Sequence, residues 1–150
     1  MPAALPAAPM PLFDRLCSDD ETADGAVLDA RGLRQSLAGE LSRLLNTRSR
    51  LGLAEYADKA ATVLDYGLPD FSALSARSAD DLAALRDAIA HAIRLFEPRL
   101  MHAEVTLTDD PASPQRARVH IDAAVRLGHE LRRVRFDLDA EPGTASIGAA

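Results

Sequence analysis

Glu97 and Arg99 flank Pro98 in the run Phe96-Glu97-Pro98-Arg99-Leu100, an acid and a base at the point where an apolar helical period stops. Proline has no amide donor and disfavours helical geometry in the residue before it, so the chain should turn extended at Glu97. Glu97 and Arg99 then project to the same side. A carboxylate at a helix C-terminus meets the negative end of the macrodipole, at a cost of about 0.3–1 kcal/mol, and needs a compensating cation. Arg99 is the nearest candidate and a partner protein is another. The plainer alternative is a salt bridge that ends a helix and does nothing more.

Other chemistry fits these residues less well. Glycoside hydrolysis needs two carboxyl groups across one cleft, about 5 Å or about 6.5–9.5 Å apart, one of them held protonated. Glu97 is the attractive acid, with Asp65 and Asp70 as possible seconds, yet an adjacent arginine suits an ion pair and opposes a general acid. Asp65 and Asp70 lie in turns, where carboxylates commonly cap amides. His91, His102, His120 and His129 have no close ligand spacing and the single Cys17 is far from them, so neither a metal site nor a cofactor is expected. Ser36 and Ser42 have no histidine nearby in sequence, and there is no GxSxG and no glycine-rich phosphate loop.

The chain has 150 residues, 47% of them hydrophobic, enough for one domain with a real core. Its formal net charge of -6, with the arginines scattered, argues for protein partners and against nucleic acid. A lone cysteine cannot form an internal disulfide. The start MPAALPAAPMPLF lacks a basic n-region and is broken by prolines, unlike a secretory signal. No apolar run approaches the roughly 20 residues that span a bilayer, so direct membrane insertion is not expected. These features together point to the cytoplasm.

Three regions follow from composition. Residues 1–30 carry four of the nine prolines and then a series of acids, a flexible segment that cannot fold alone. Within it Leu12, Phe13 and Leu16 form a one-turn apolar cluster, PLFDRL (11–16), able either to dock on a partner or to pack on its own domain. Residues 31–139 should form the domain, and 140–150 a mobile tail.

From Ala30 the leucines 33, 37, 41, 44 and 45 recur at helical spacing, predicting a helix to about Asn46. Residues 47–62 are ambiguous between a short helix and a loop. In VLDYGLPDF (63–71), Gly67 should supply a positive φ and Pro69 a fixed turn, with apolar side chains pinning the segment to the core. Ser78 and Asp81 have the form of a capping box, and Leu82, Leu85, Ile89, Ile93 and Phe96 mark one face of a second helix. Beyond Pro98 the period becomes 2, giving three strands over 103–109, 117–126 and 133–139. Arg118, His120, Asp122, Arg133, Arg135 and Asp137 fall on their solvent face. The expected fold is α+β: two main helices packed on a small antiparallel sheet of about three strands, with a flexible N-terminal segment.

Four ordered blocks, PLFDRL, SLAGELSRLLNTR (36–48), VLDYGLPDF and FEPRL (96–100), resemble TssE, the baseplate wedge family of the bacterial type VI secretion system, related to the lysozyme-like wedge proteins of contractile phage tails. The resemblance covers about residues 11–139, with a looser stretch at 49–62. It implies a non-enzymatic structural subunit in a cytoplasmic, membrane-associated assembly. The implied partners are the TssF and TssG wedge proteins and the TssB/TssC sheath. Glu97, Pro98 and Arg99 would then serve as a partner-binding or structural motif, and Leu12, Phe13 and Leu16 as an N-terminal docking contact. The family's older lysozyme label leaves a peptidoglycan hydrolase acting through Glu97 as the alternative.

Overall fold

Leu33, Leu37, Leu41, Leu44 and Leu45 are all buried, and the helix that carries them, Ala30–Asn46, opens on Asp29, whose carboxylate accepts from the Gly32 amide at 2.7 Å. The computed structural model describes residues 7–16, 27–58, 62–75, 77–110, 113–140 and 147–149. In chain order these form β1 (Ala8–Pro9), α1 (Leu12–Leu16), β2 (Val27–Leu28), α2 (Ala30–Asn46) and α3 (Leu53–Asp58). A 3-10 turn (Val63–Asp65) leads to α4 (Ala79–Phe96), β3 (Met101–Asp110), β4 (Ser113–Leu127), β5 (Glu130–Ala140) and β6 (Ile147–Ala149). Cys17 lies outside the described residues.

The main sheet is antiparallel in the order β3-β4-β5-β6, and β1 pairs with β2 separately. Val105 of β3, Val119, Ile121, Ala123, Val125 and Leu127 of β4, and Phe136 and Leu138 of β5 are buried, and they share the core with Leu85, Ala88, Ile89, Ala92 and Ile93 of α4. The α+β architecture is as expected. The strands are longer than their apolar alternation, because ladder pairing continues through polar ends. β6 is a fourth, short strand, pairing Ile147–Ala149 with 138–140. Its composition carries no alternation; the open edge of β5 supplies the partner. Between β4 and β5, Gly128 takes φ 61 at the first central position of a two-residue hairpin, and Leu127 faces Glu130.

Helix α2 ends at Asn46 as expected, and two other local features differ from their sequence signatures. Helix α2 stops because Thr47 turns extended, at φ -90 and ψ 138, and its hydroxyl caps the Arg43 carbonyl at 2.7 Å; Asn46 stays helical and caps Ser42 O. Ser78 does accept from the Asp81 amide, but the Asp81 carboxylate reaches past it to the Ser75 amide at 2.9 Å, so that box is not reciprocal. The reciprocal box is Thr62 with Asp65. In VLDYGLPDF, Leu68 and Phe71 are buried as expected, while Val63 and Leu64 are 86% and 74% exposed. The 3-10 turn orients the Asp65 carboxylate inward and these two side chains outward.

Candidate functional site

Helix α4 ends at Phe96, and the Glu97 amide closes its last turn on Ile93 O at 2.9 Å. Pro98 then cannot donate, and the chain reverses through a turn closed by Leu100 N on Glu97 O at 3.1 Å. That turn brings the two charged side chains together. Arg99 Nε donates to Glu97 Oε1 at 2.7 Å and its second terminal nitrogen to Oε2 at 2.6 Å, a two-pronged pair reinforced by the Arg99 amide at 3.3 Å. The Glu97 side chain is 5% exposed and that of Arg99 29%. Glu97 hydrogen bonding holds the Arg99 guanidinium above its ordinary pKa, against the opposing effect of burial.

The pair extends across the fold. The remaining Arg99 nitrogen donates to Ser36 Oγ at 3.3 Å, and Ser36 Oγ donates to Asp14 Oδ2 at 3.1 Å. Helix α2, the α4–β3 turn and α1 are thus joined by one polar chain. Ser36 enters here as a linker, a role its sequence neighbours gave no signal for. Of the N-terminal cluster, Leu16 is 73% exposed, whereas the side chains of Leu12 and Phe13 lie outside the described residues. Directly after the motif, β3 begins with an irregular register between Met101 and Glu104, and His102 sits there at φ 53, a backbone region uncommon outside glycine.

The other acids weighed against Glu97 have their own commitments. Asp65, 1% exposed, accepts from the Thr62 amide and hydroxyl and from Arg50 Nε, all at 2.9 Å. The Thr62 amide first and Arg50 second hold its carboxyl down at about 2. Asp70 accepts from the Ser72 amide at 2.9 Å, which lowers its pKa. A general acid must instead stay protonated near neutrality, and Glu97 is bound at both oxygens by a cation.

Because the folded Asp65 value lies below the ordinary 3.8, the unfolded chain binds more protons between roughly pH 4 and pH 2. Its stabilising contribution is complete above that window and is lost as pH falls through it. Asp65→Asn should start less stable at neutral pH and show a flatter decline in urea midpoint from pH 4 to pH 2 than the wild type; parallel curves would refute the assignment.

One constellation was invisible in the linear sequence. Thr108 Oγ1 lies 3.0 Å from His120 Nε2, and His120 Nδ1 lies 2.6 Å from Asp137 Oδ1, the order of a nucleophile, base and orienter. All three stand on the solvent-facing rows of β3, β4 and β5, beside a two-pronged Asp122–Arg135 pair. Thr108 and Asp137 are exposed there. That row does not exclude water from a reacting group, and these contacts act as cross-strand pairs. The register that assembles them sets His120 against Asp137 and Thr106, with Thr108 diagonal.

Comparison with known proteins gives a family match: the model of the family described as baseplate wedge protein gp25 matches residues 31–130. No curated protein matches this chain. Among solved structures, a chain from the baseplate complex of the type VI secretion system is similar at 19% identity, over 71% of this chain and 93% of that one, with a TM-score of 0.49.

Proposed function

We propose that this chain, which belongs to the baseplate wedge protein gp25 family, acts in a type VI secretion baseplate as a non-enzymatic subunit. There it joins the TssF and TssG wedge proteins to the first layer of the TssB/TssC sheath, on the cytoplasmic side of the membrane-associated assembly. A structural role in a baseplate is what the family carries. The four ordered sequence blocks support the type VI assignment.

The observation that favours a sheath contact is the β3 edge. Strand β3 pairs with β4 alone among the described strands, which leaves one side of its main chain available to accept an added strand. Beside that strand runs a groove of about 310 Å³ between β3 and the first turns of α4, lined by Leu82, Ala83, Arg86, Val105 and Leu107. An incoming strand would take main-chain bonds from β3 and set alternate side chains against α4. Glu97 and Arg99 stand at the root of this strand and fix where it begins. The register shifts at both ends of β3 limit unselective edge pairing in the free protein.

The test is affinity copurification of the tagged full chain from its native host. Arg99→Lys is compared with wild type, because lysine keeps the charge but not the fork. Recovery of wedge and sheath subunits with wild type, and a drop in sheath recovery of about tenfold (about 1.4 kcal/mol) with a soluble Arg99→Lys protein, is the expected result. Equal sheath recovery would exclude the motif as a determinant of the contact, and no baseplate partner with wild type would overturn the proposal.

A further inference from the structure

We infer that residues 7–16 are an intramolecular strap, and that an acidic segment of a baseplate partner, a carboxylate flanked by apolar residues, takes the place of Asp14 on the shelf formed by Ser36, Arg43 and Arg99. This rests on the structural baseplate reading for the partner's origin, but not for the chemistry of the shelf.

Asp14 supplies the template. Its Oδ2 accepts from Ser36 Oγ at 3.1 Å and its Oδ1 lies 3.5 Å from an Arg43 terminal nitrogen, while Ser36 also receives the Arg99 guanidinium. One cation and one hydroxyl of α2 therefore meet a carboxylate brought from a distant part of the chain, and the guanidinium of the α4–β3 turn stands behind that hydroxyl. The acceptor side is built on rigid elements. Arg99 is locked by Glu97, and Arg43 is paired along α2 with Glu40.

The described main-chain ties of the strap are short. Helix α1 has five residues, below the length at which a helix sustains itself. Of the described strap side chains Ala8 enters the core, Leu16 is 73% exposed, and the main chain is tied by the two-residue β1–β2 ladder and by Gly128 N on Ala7 O at 2.9 Å. The Asp14–Arg43 contact is solvated, with 29% and 47% of the side chains exposed, and such contacts yield readily to competitors and salt. Ala8 and Pro9 of the strap also wall a cavity of about 210 Å³ against Leu33, Pro98, Arg99 and Met101. Lifting the strap opens that cavity next to the shelf, an apolar socket beside a cationic one. The matching ligand is a carboxylate set among apolar residues, as Asp14 is in the strap.

The probe is a fluorescently labelled copy of the strap, AAPMPLFDRL, titrated into the full chain and followed by anisotropy. Asp14→Lys places a cation against Arg43 and Arg99 and should release the strap, so this variant should bind the probe about tenfold more tightly than wild type, whose shelf is filled from within. A probe with alanine in place of its aspartate should lose that binding, and 0.5 M salt should weaken it. Asp14→Asn, which removes charge without repulsion, should fall between wild type and Asp14→Lys, and it serves alone if the lysine variant does not fold. Equal binding by wild type and either folded variant overturns the strap. Indifference to the probe's aspartate overturns the carboxylate site, and a concentration-dependent dimer of wild type assigns the shelf to a second copy's arm and overturns the partner assignment. None of these outcomes depends on whether the chain copurifies with a baseplate.

Discussion

Replacing Glu97 with alanine should lower the unfolding free energy by about 3 kcal/mol and the melting temperature by about 10 °C, measured by urea and thermal unfolding under circular dichroism. The Arg99 guanidinium would keep its position and lose both acceptors of a 5% exposed carboxylate, and a half-buried cation without a counter-charge is costlier than the pair was favourable. The Glu97→Ala/Arg99→Ala double variant should therefore lose less than the sum of the single losses, because it removes the orphan with its partner. A Glu97→Ala protein that melts with wild type would show that the pair contributes nothing to the fold and would return both residues to a purely partner-facing role. The pairing also separates the two residues as probes of function. Glu97 reports on stability, while Arg99, with part of its side chain in solvent, can report on a contact.

Gly67→Ala should be the most damaging single methyl addition among the described glycines, at about 4 kcal/mol by urea midpoint with little change in slope. Gly67 has φ 108, and a Cβ there would stand 2.4 Å from the Thr47 carbonyl oxygen and 2.7 Å from its carbon. Neither atom can move away. Thr47 O accepts from Leu68 N at 2.9 Å, Leu68 O accepts from Ser49 N at 2.7 Å, and the buried Tyr56 hydroxyl donates to Gly67 O at 2.7 Å. The substitution would force this clasp between the segments after α2 and before α4 to open. Gly39→Ala is the matched control: an added Cβ meets nothing within 4 Å on the exposed side of α2, and helix propensity predicts a gain of about 1 kcal/mol. Loss of stability in both variants would assign the damage to something other than the clasp.

Much of the fold was legible because burial repeats with the geometry of each element. The leucine stripe gave the buried face of α2, the apolar face of α4 gave its register, and alternation gave the inner rows of β3 to β5. Even the polar row Arg118, His120, Asp122, Arg133, Arg135 and Asp137 was placed on its true face. These are local properties, with partners at most a few residues away. Gly67 likewise announced its positive φ, whereas for Glu97 the sequence offered Arg99 and a partner protein alike, and the turn closed by Leu100 N on Glu97 O brings Arg99 to it.

What the sequence by itself determined about this protein is thus its α+β class, its two main helices, its period-2 sheet and the placing of one acid and one base around Pro98; that these two pair with each other was decided by the turn after α4. Tertiary structure alone decided which distant groups complete that motif. Ser36 lies 63 residues from Arg99 and 22 from Asp14, so no local pattern could join them. The same holds for the Thr108–His120–Asp137 row, for Arg50 on Asp65 across 15 residues, and for β6, whose composition specifies nothing until β5 offers it an edge. Periodicity records how each segment meets solvent and core. Contacts across the fold depend on how the segments are stacked, and only packing fixes that.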